Sequence, residues 1–146
     1  HFDKSLVGTE RWLMMLGTLS ATPVAAIAGL KTMEVLRRPG AYAQLIANGE
    51  RLQAMFRFHL AKAGIAHRIV GHPTLFDVVF TEAEVRNYRD VQTVDPERGA
   101  RFNSVLRANG VFKSPGKLYP HLALTQADFE LTDAAIAKAA VALLQD

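Results

Sequence analysis

Gly17-Thr18-Leu19-Ser20-Ala21-Thr22-Pro23 stands directly before an apolar, alanine-rich run at 24–30. A turn of this kind leaves backbone N–H groups and hydroxyls at the positively polarised start of a helix. Phosphate is held in such a setting. The same residues also read as an ordinary helix start, with Thr22 as N-cap and Pro23 as the first helical residue. On the residues alone both readings stand. The five histidines, His1, His59, His67, His72 and His121, show no His-x-x-x-His spacing, so no metal site is expected. The chain has no cysteine, which excludes disulfides and thiolate ligands. Asp77, inside Thr74-Leu75-Phe76-Asp77-Val78-Val79-Phe80, reads as a solvent-facing strand residue, and Glu82 and Glu84 read as surface charges.

The elements that would position these groups follow from periodicity. Residues 23 to about 37 read as a helix, with Val24, Ile27, Leu30, Met33 and Leu36 near helical spacing and Pro39-Gly40 as its stop. A second helix is expected over 42–62, with Leu45, Leu52, Met55, Phe56, His59 and Leu60 as its stripe and Gly64 just past its end. Short strands are expected at 67–70 and 74–80, then a loop over 81–96. A third helix is expected over 96–109, with Phe102, Val105 and Leu106 inward. Strands at 111–113 and 119–124 flank the turn Ser114-Pro115-Gly116, and Pro120 places the second of them near an edge. Thr125-x-x-Asp128 resembles a capping box, and a last helix runs to about 144 with Phe129, Ile136, Ala140 and Leu143 on one face. Counting 74–80 as the one strand between the second and third helices, the order α-α-β-α-β-β-α predicts an α/β protein of the α+β kind. Its small mixed or antiparallel sheet would have helices on one face.

At 146 residues the chain makes one or at most two compact units, and 49% hydrophobic residues are ample for a core. Its formal net charge of +3 is spread over many short groups. Arg86, Arg89, Arg98, Arg101 and Arg107 lack an accompanying aromatic stacking platform, so nucleic acid is not an expected partner. No apolar run is long enough to span a bilayer, and no signal peptide precedes the run at 24–30. The first residue is His, which suggests that the chain begins within a longer protein, or after processing or a tag.

The pattern Gly-Thr-Leu-Ser-x-x-Pro-x-Ala-x-x-Ala-Gly-Leu at 17–30 resembles a segment of the class III pyridoxal-phosphate aminotransferases, the family that also includes glutamate-1-semialdehyde aminomutase. The resemblance continues, in the family's order, through Val85-Arg86-Asn87-Tyr88-Arg89-Asp90, Ala108-Asn109-Gly110-Val111-Phe112-Lys113-Ser114-Pro115 and Leu122-Ala123-Leu124-Thr125-Gln126-Ala127-Asp128. It covers nearly all of the chain from about Leu16 onward, which in the family is the C-terminal third.

This resemblance implies several things. Residues 1–22 would end the large coenzyme-binding domain, 23–38 would be a connecting helix, and 39–146 the small C-terminal domain of the fold-type I transferases. Gly17 and Thr18 would bind the coenzyme phosphate of a neighbouring subunit in a cytoplasmic homodimer, through a backbone N–H and a hydroxyl. The Schiff-base lysine and the Asp that holds the pyridinium nitrogen would lie upstream. Lys4, in Phe2-Asp3-Lys4-Ser5, does not match the lysine motif, so no catalytic residue is placed in this chain and it should not transaminate alone.

Lys113, Lys117 and His121 are the substrate-binding candidates. The segment Lys117-Leu118-Tyr119-Pro120-His121-Leu122-Ala123-Leu124-Thr125 resembles an Arg-x-x-Pro-Pro-Leu-x-Ile-Thr-like segment in which Arg clamps a carboxylate. Lys here offers a point charge rather than a fork. A Ser-Pro step, Ser114-Pro115, matches the aminomutase branch, but that branch's Glu is missing. The expected activity is amino-group transfer between an amino acid and a keto acid or aldehyde. The alternatives are the aminomutase and, from the residues themselves, a stand-alone α/β anion-binding or interaction module. A severed enzyme piece would expose the apolar surfaces at 12–16 and 24–30.

Overall fold

The computed structural model describes Gly17 and residues 22–145. The chain divides into two compact units between Arg38 and Pro39.

In the first unit, α1 spans Pro23–Leu36. Thr22 is its N-cap and Pro23 its first residue, as the Thr22-Pro23 step predicts, but the Thr22 side chain makes no capping hydrogen bond. The Thr22 carbonyl accepts the first helical bond, from Ala26 N–H at 2.9 Å. None of its residues is buried, although Val24, Ile27, Leu30 and Met33 repeat at helical spacing.

The second unit is built from α2 (Ala41–Lys62), β1 (Arg68–His72), β2 (Leu75–Val79), α3 (Tyr88–Val91), α4 (Pro96–Ala108) and α5 (Gln126–Ala142). β1 and β2 are antiparallel, with Val70 opposite Asp77 and Gly71 opposite Phe76. Alternation along β2 sends Phe76 and Val78 to one face, where they enter a core with Leu52, Phe56, Leu60, Phe102, Leu106 and Ile136. The Phe56 ring meets Phe76 edge-on at 6.3 Å and Phe102 at 6.1 Å, and Phe80 meets Phe102 at 5.3 Å. These rings join α2, α4 and β2, and aromatic pairs at such angles add to the burial energy. The stripes read from the sequence lie where expected: Phe102 and Leu106 on α4, and Phe129, Ile136, Ala140 and Leu143 at the end of the chain, are all buried.

Helix α2 passes close to the hairpin turn. A Cβ on Gly49 would lie 2.0 Å from the Pro73 carbonyl oxygen, so only glycine permits that approach. Gly71, at φ +108°, sits inside the hairpin, where a side chain would meet Leu75 O at 2.5 Å.

Two expectations need correction. The segments 111–113 and 119–124 are not strands. The sheet has two strands, and the chain after α4 touches it only at an isolated antiparallel bridge between Phe76 and Leu118. Pro115 and Pro120 supply no N–H for a ladder, and a turn at 114–117 closes on itself instead, through Lys117 N–H to Ser114 O at 3.4 Å. Secondly, the stretch read as loop at 81–96 contains α3. Asn87 and Asp90 form a reciprocal capping box, with Asn87 Oδ1 accepting from Arg89 N at 2.9 Å and Asp90 Oδ2 accepting from Asn87 N at 3.1 Å.

Candidate functional site

The segment 111–124 must cross from the end of α4 to the start of α5. Gly110, at φ +86°, turns the chain out of α4, and Val111 N–H bonds Leu106 O at 3.0 Å. At the far end Thr125 caps α5. Its hydroxyl accepts from Asp128 N–H at 3.3 Å, and Asp128 Oδ2 accepts from Thr125 N–H at 2.7 Å. The Thr125 hydroxyl also bonds Asp128 Oδ2 at 2.7 Å. The Thr125 side-chain bond, with the backbone bond second and a smaller contribution from His121, holds the Asp128 carboxyl below its ordinary value.

Between this segment and the helices α2 and α5 lies a cavity of about 270 Å³. Lys113, Lys117 and His121, separated by up to eight positions in the chain, all line it. Leu52 of α2, Leu118 and Leu124 supply apolar wall, and Thr132 of α5 supplies a hydroxyl. Asn48 Nδ2 donates to the His121 carbonyl at 3.0 Å and so ties the rim to α2. Lys117 and His121 are exposed on that rim. Such a wall suits a small molecule with an apolar body and an anionic group within reach of Lys117.

Lys113 is placed differently. Its side chain is 2% exposed, and its ammonium lies 2.7 Å from Asp77 Oδ1. It also donates to Ser114 O at 3.1 Å and Pro115 O at 3.4 Å. No aligned hydrogen bond reaches that carboxylate oxygen among the described residues, so its charge is balanced by the ammonium's proximity. Asp77 is therefore half-buried and ion-paired rather than solvent-facing, and sequence reasoning missed it. The available signal was an acidic residue within an otherwise apolar strand.

Gly17 is exposed and belongs to the first unit, whereas Thr18 lies outside the described residues, as do the apolar residues at 12–16. Among the described residues no group of three or more His, Asp or Glu is gathered for a metal ion. No helix among them is long and apolar enough to cross a membrane.

No protein-family model matches the chain. It is 33% identical over 138 residues to a glutamate-1-semialdehyde 2,1-aminomutase of Methanopyrus kandleri, a match over 92% of this chain and 32% of that protein. To glutamate-1-semialdehyde 2,1-aminomutase 2 of Brevibacillus brevis it is 36% identical over 119 residues, 80% of this chain and 28% of that protein. Among solved structures, an omega-transaminase from Sphaerobacter thermophilus matches with a TM-score of 0.74 at 25% identity, over 90% of this chain and 31% of that one. The chain thus spans about a third of the length of the proteins it matches. In sequence and in fold it corresponds to the C-terminal region of the class III pyridoxal-phosphate-dependent aminotransferase family, aminomutases included.

Proposed function

We propose that this chain is the C-terminal third of a pyridoxal-phosphate enzyme that moves an amino group between an amino acid and a keto acid or aldehyde. The observation that carries this reading is the cavity, which brings Lys117 and His121 together on one wall of a domain with this fold. Lys117 would attract a substrate carboxylate as a point charge, and the apolar wall would exclude water around the rest of the substrate. Gly17 and Thr18 would donate to the phosphate of a coenzyme held by a second subunit, which makes the whole protein a homodimer. A cytoplasmic location goes with this reading.

The bound coenzyme would supply the electron sink for breaking bonds at the amino-bearing carbon. The resemblance places its lysine anchor upstream of Gly17. Lys113, the buried lysine of the second unit, has its ammonium against the Asp77 carboxylate, and an amine so engaged does not condense with an aldehyde. With the anchor upstream, as the resemblance implies, this chain by itself should be inactive.

The aminomutase reading is favoured by the two curated relatives, which both carry that name. The transaminase reading is favoured by Lys117 on the cavity and by the missing aminomutase Glu after Ser114-Pro115. The test is to express the continuous coding sequence, with its upstream portion, and to load it with pyridoxal phosphate. Amino transfer from an amino acid to a separate keto acid or aldehyde supports the transaminase. Isomerisation of glutamate 1-semialdehyde without a second substrate selects the aminomutase. Neither activity in a coenzyme-loaded protein overturns both.

A further inference from the structure

Lys113 and Gln53 are the buried polar side chains of the described residues, and only Lys113 carries a charge. A buried ammonium is expensive to desolvate, and an apolar side chain of similar volume would serve stability as well or better. What an ammonium adds is direction. Lys113 reaches out of the segment 111–124 to Asp77 on β2 at 2.7 Å and back to two carbonyls of its own turn, Ser114 O and Pro115 O. One residue beyond that turn, Leu118 makes two backbone bonds with Phe76, Leu118 N–H to Phe76 O at 2.7 Å and Phe76 N–H to Leu118 O at 3.3 Å. Asp77 and Phe76 are adjacent on β2, so the side-chain pair and the backbone bridge grip the same short stretch of strand. Between the two grips lies Lys117, and His121 follows three residues after the bridge.

We infer that the Lys113–Asp77 pair is a positioning latch: it holds the turn 114–117 against β2 and thereby sets where Lys117 and His121 stand on the cavity wall. This assigns Lys113 to positioning rather than to substrate contact, and for its effect on substrate it rests on the reading given under Proposed function. The backbone of the segment has no strand ladder to hold it, because Pro115 and Pro120 interrupt it. A single bridge leaves rotation about that bridge open; the ion pair fixes the segment on the Lys113 side, as the Asn48 bond to the His121 carbonyl does on the other.

The test separates position from stability by using the 146-residue chain and the upstream-extended, coenzyme-loaded protein in parallel. In Lys113→Met the rise in Leu118 amide exchange should exceed the rise at the core amides of Phe56 and Ile136, which report the global loss of stability, at least tenfold. The double variant Asp77→Leu/Lys113→Met should recover the melting temperature yet leave Leu118 exchange fast. In the extended protein it should raise KM for the amino substrate at nearly constant kcat. Should that double variant not fold, Lys113→Gln decides by the same Leu118 measurement. Restoration of Leu118 protection and KM by the apolar pair would overturn the latch, as would Leu118 exchange that rises only in step with Phe56. If the extended protein transfers no amino group, the functional reading fails, while the exchange data still judge the latch.

Discussion

Lys117 and Lys113 sit four residues apart on one segment, and their environments divide them. Lys117 is exposed on the cavity rim, while Lys113 is enclosed with Asp77. Their substitutions should therefore differ in kind. Lys117→Ala should leave melting unchanged and weaken binding of an acidic substrate to the extended protein by about tenfold, or about 1.4 kcal/mol. A titration with a carboxylate-bearing substrate against its amide analogue reads this directly, and equal loss for both would remove Lys117 from the carboxylate. Lys113→Met instead strands a half-buried carboxylate and should lower stability by about 3 kcal/mol, measured by urea unfolding. Most of that loss should return when Asp77 is made Leu as well. The residue types at 113 and 117 are identical, so no property of lysine distinguishes these outcomes. The presence of Asp77 on the neighbouring strand does.

At the scale of the elements, caps and close approaches decide how the helices frame the cavity. Thr125 and Asp128 hold the start of α5, and Asp128 is held below its ordinary value chiefly by the Thr125 hydroxyl. A carboxyl with a depressed folded value stabilises above its unfolded value, and the benefit fades as pH falls through the depressed one. Acidification below about pH 4 should thus loosen the first turn of α5. Thr125→Ala should raise the Asp128 titration midpoint in a carboxyl-detected NMR experiment. The lost Thr125 cap should also lower stability by about 1 kcal/mol. An unchanged midpoint would mean that the hydroxyl bond is not what holds the carboxyl low. Glycines give a second contrast. Gly29 lies within α1 with nothing within 4 Å of a Cβ built on it, so Gly29→Ala should increase helicity by about 0.5–1 kcal/mol of propensity. Gly49 lies within α2 against Pro73 O, so the same replacement should instead cost at least about 1–3 kcal/mol by pushing the hairpin turn off the helix. Thermal melts of the two variants should move in opposite directions.

For the whole molecule the distribution of apolar surface is the informative quantity. The second unit closes its own core around Phe56, Phe76 and Phe102, each at most 2% exposed. The first unit leaves Val24 80%, Ile27 60% and Leu30 66% exposed along α1. A contiguous apolar stripe of this sort promotes association in water. Sedimentation velocity on the 146-residue chain should show self-association, and Ile27→Glu/Leu30→Glu should reduce it without shifting the melting of the second unit. A monomer in the unaltered chain would argue for a self-sufficient module rather than a part of a longer enzyme.

How much of this was readable beforehand depends on the range of the interactions involved. Helix cores at Phe102, Leu106, Phe129 and Ile136, the Thr22-Pro23 start and the Thr125–Asp128 box are encoded within one or two turns of chain, and the sequence by itself determined them through periodicity and capping chemistry. Strands before and after Pro73 were expected for the same reason, while their antiparallel pairing came only with the fold. The capping box at Asn87 and Asp90 was equally local and was passed over within a polar stretch. Only the tertiary structure could decide that 119–124 is not a strand, because pairing needs a partner edge and the bridge at Phe76 is all the sheet offers it. Likewise only packing brings Lys113 to Asp77, 36 positions away in the chain, and turns a candidate substrate ligand into the fixed point of the segment that carries the others. Local rules act through the backbone over a few residues. The fate of a charge is set by whatever distant group the fold places beside it.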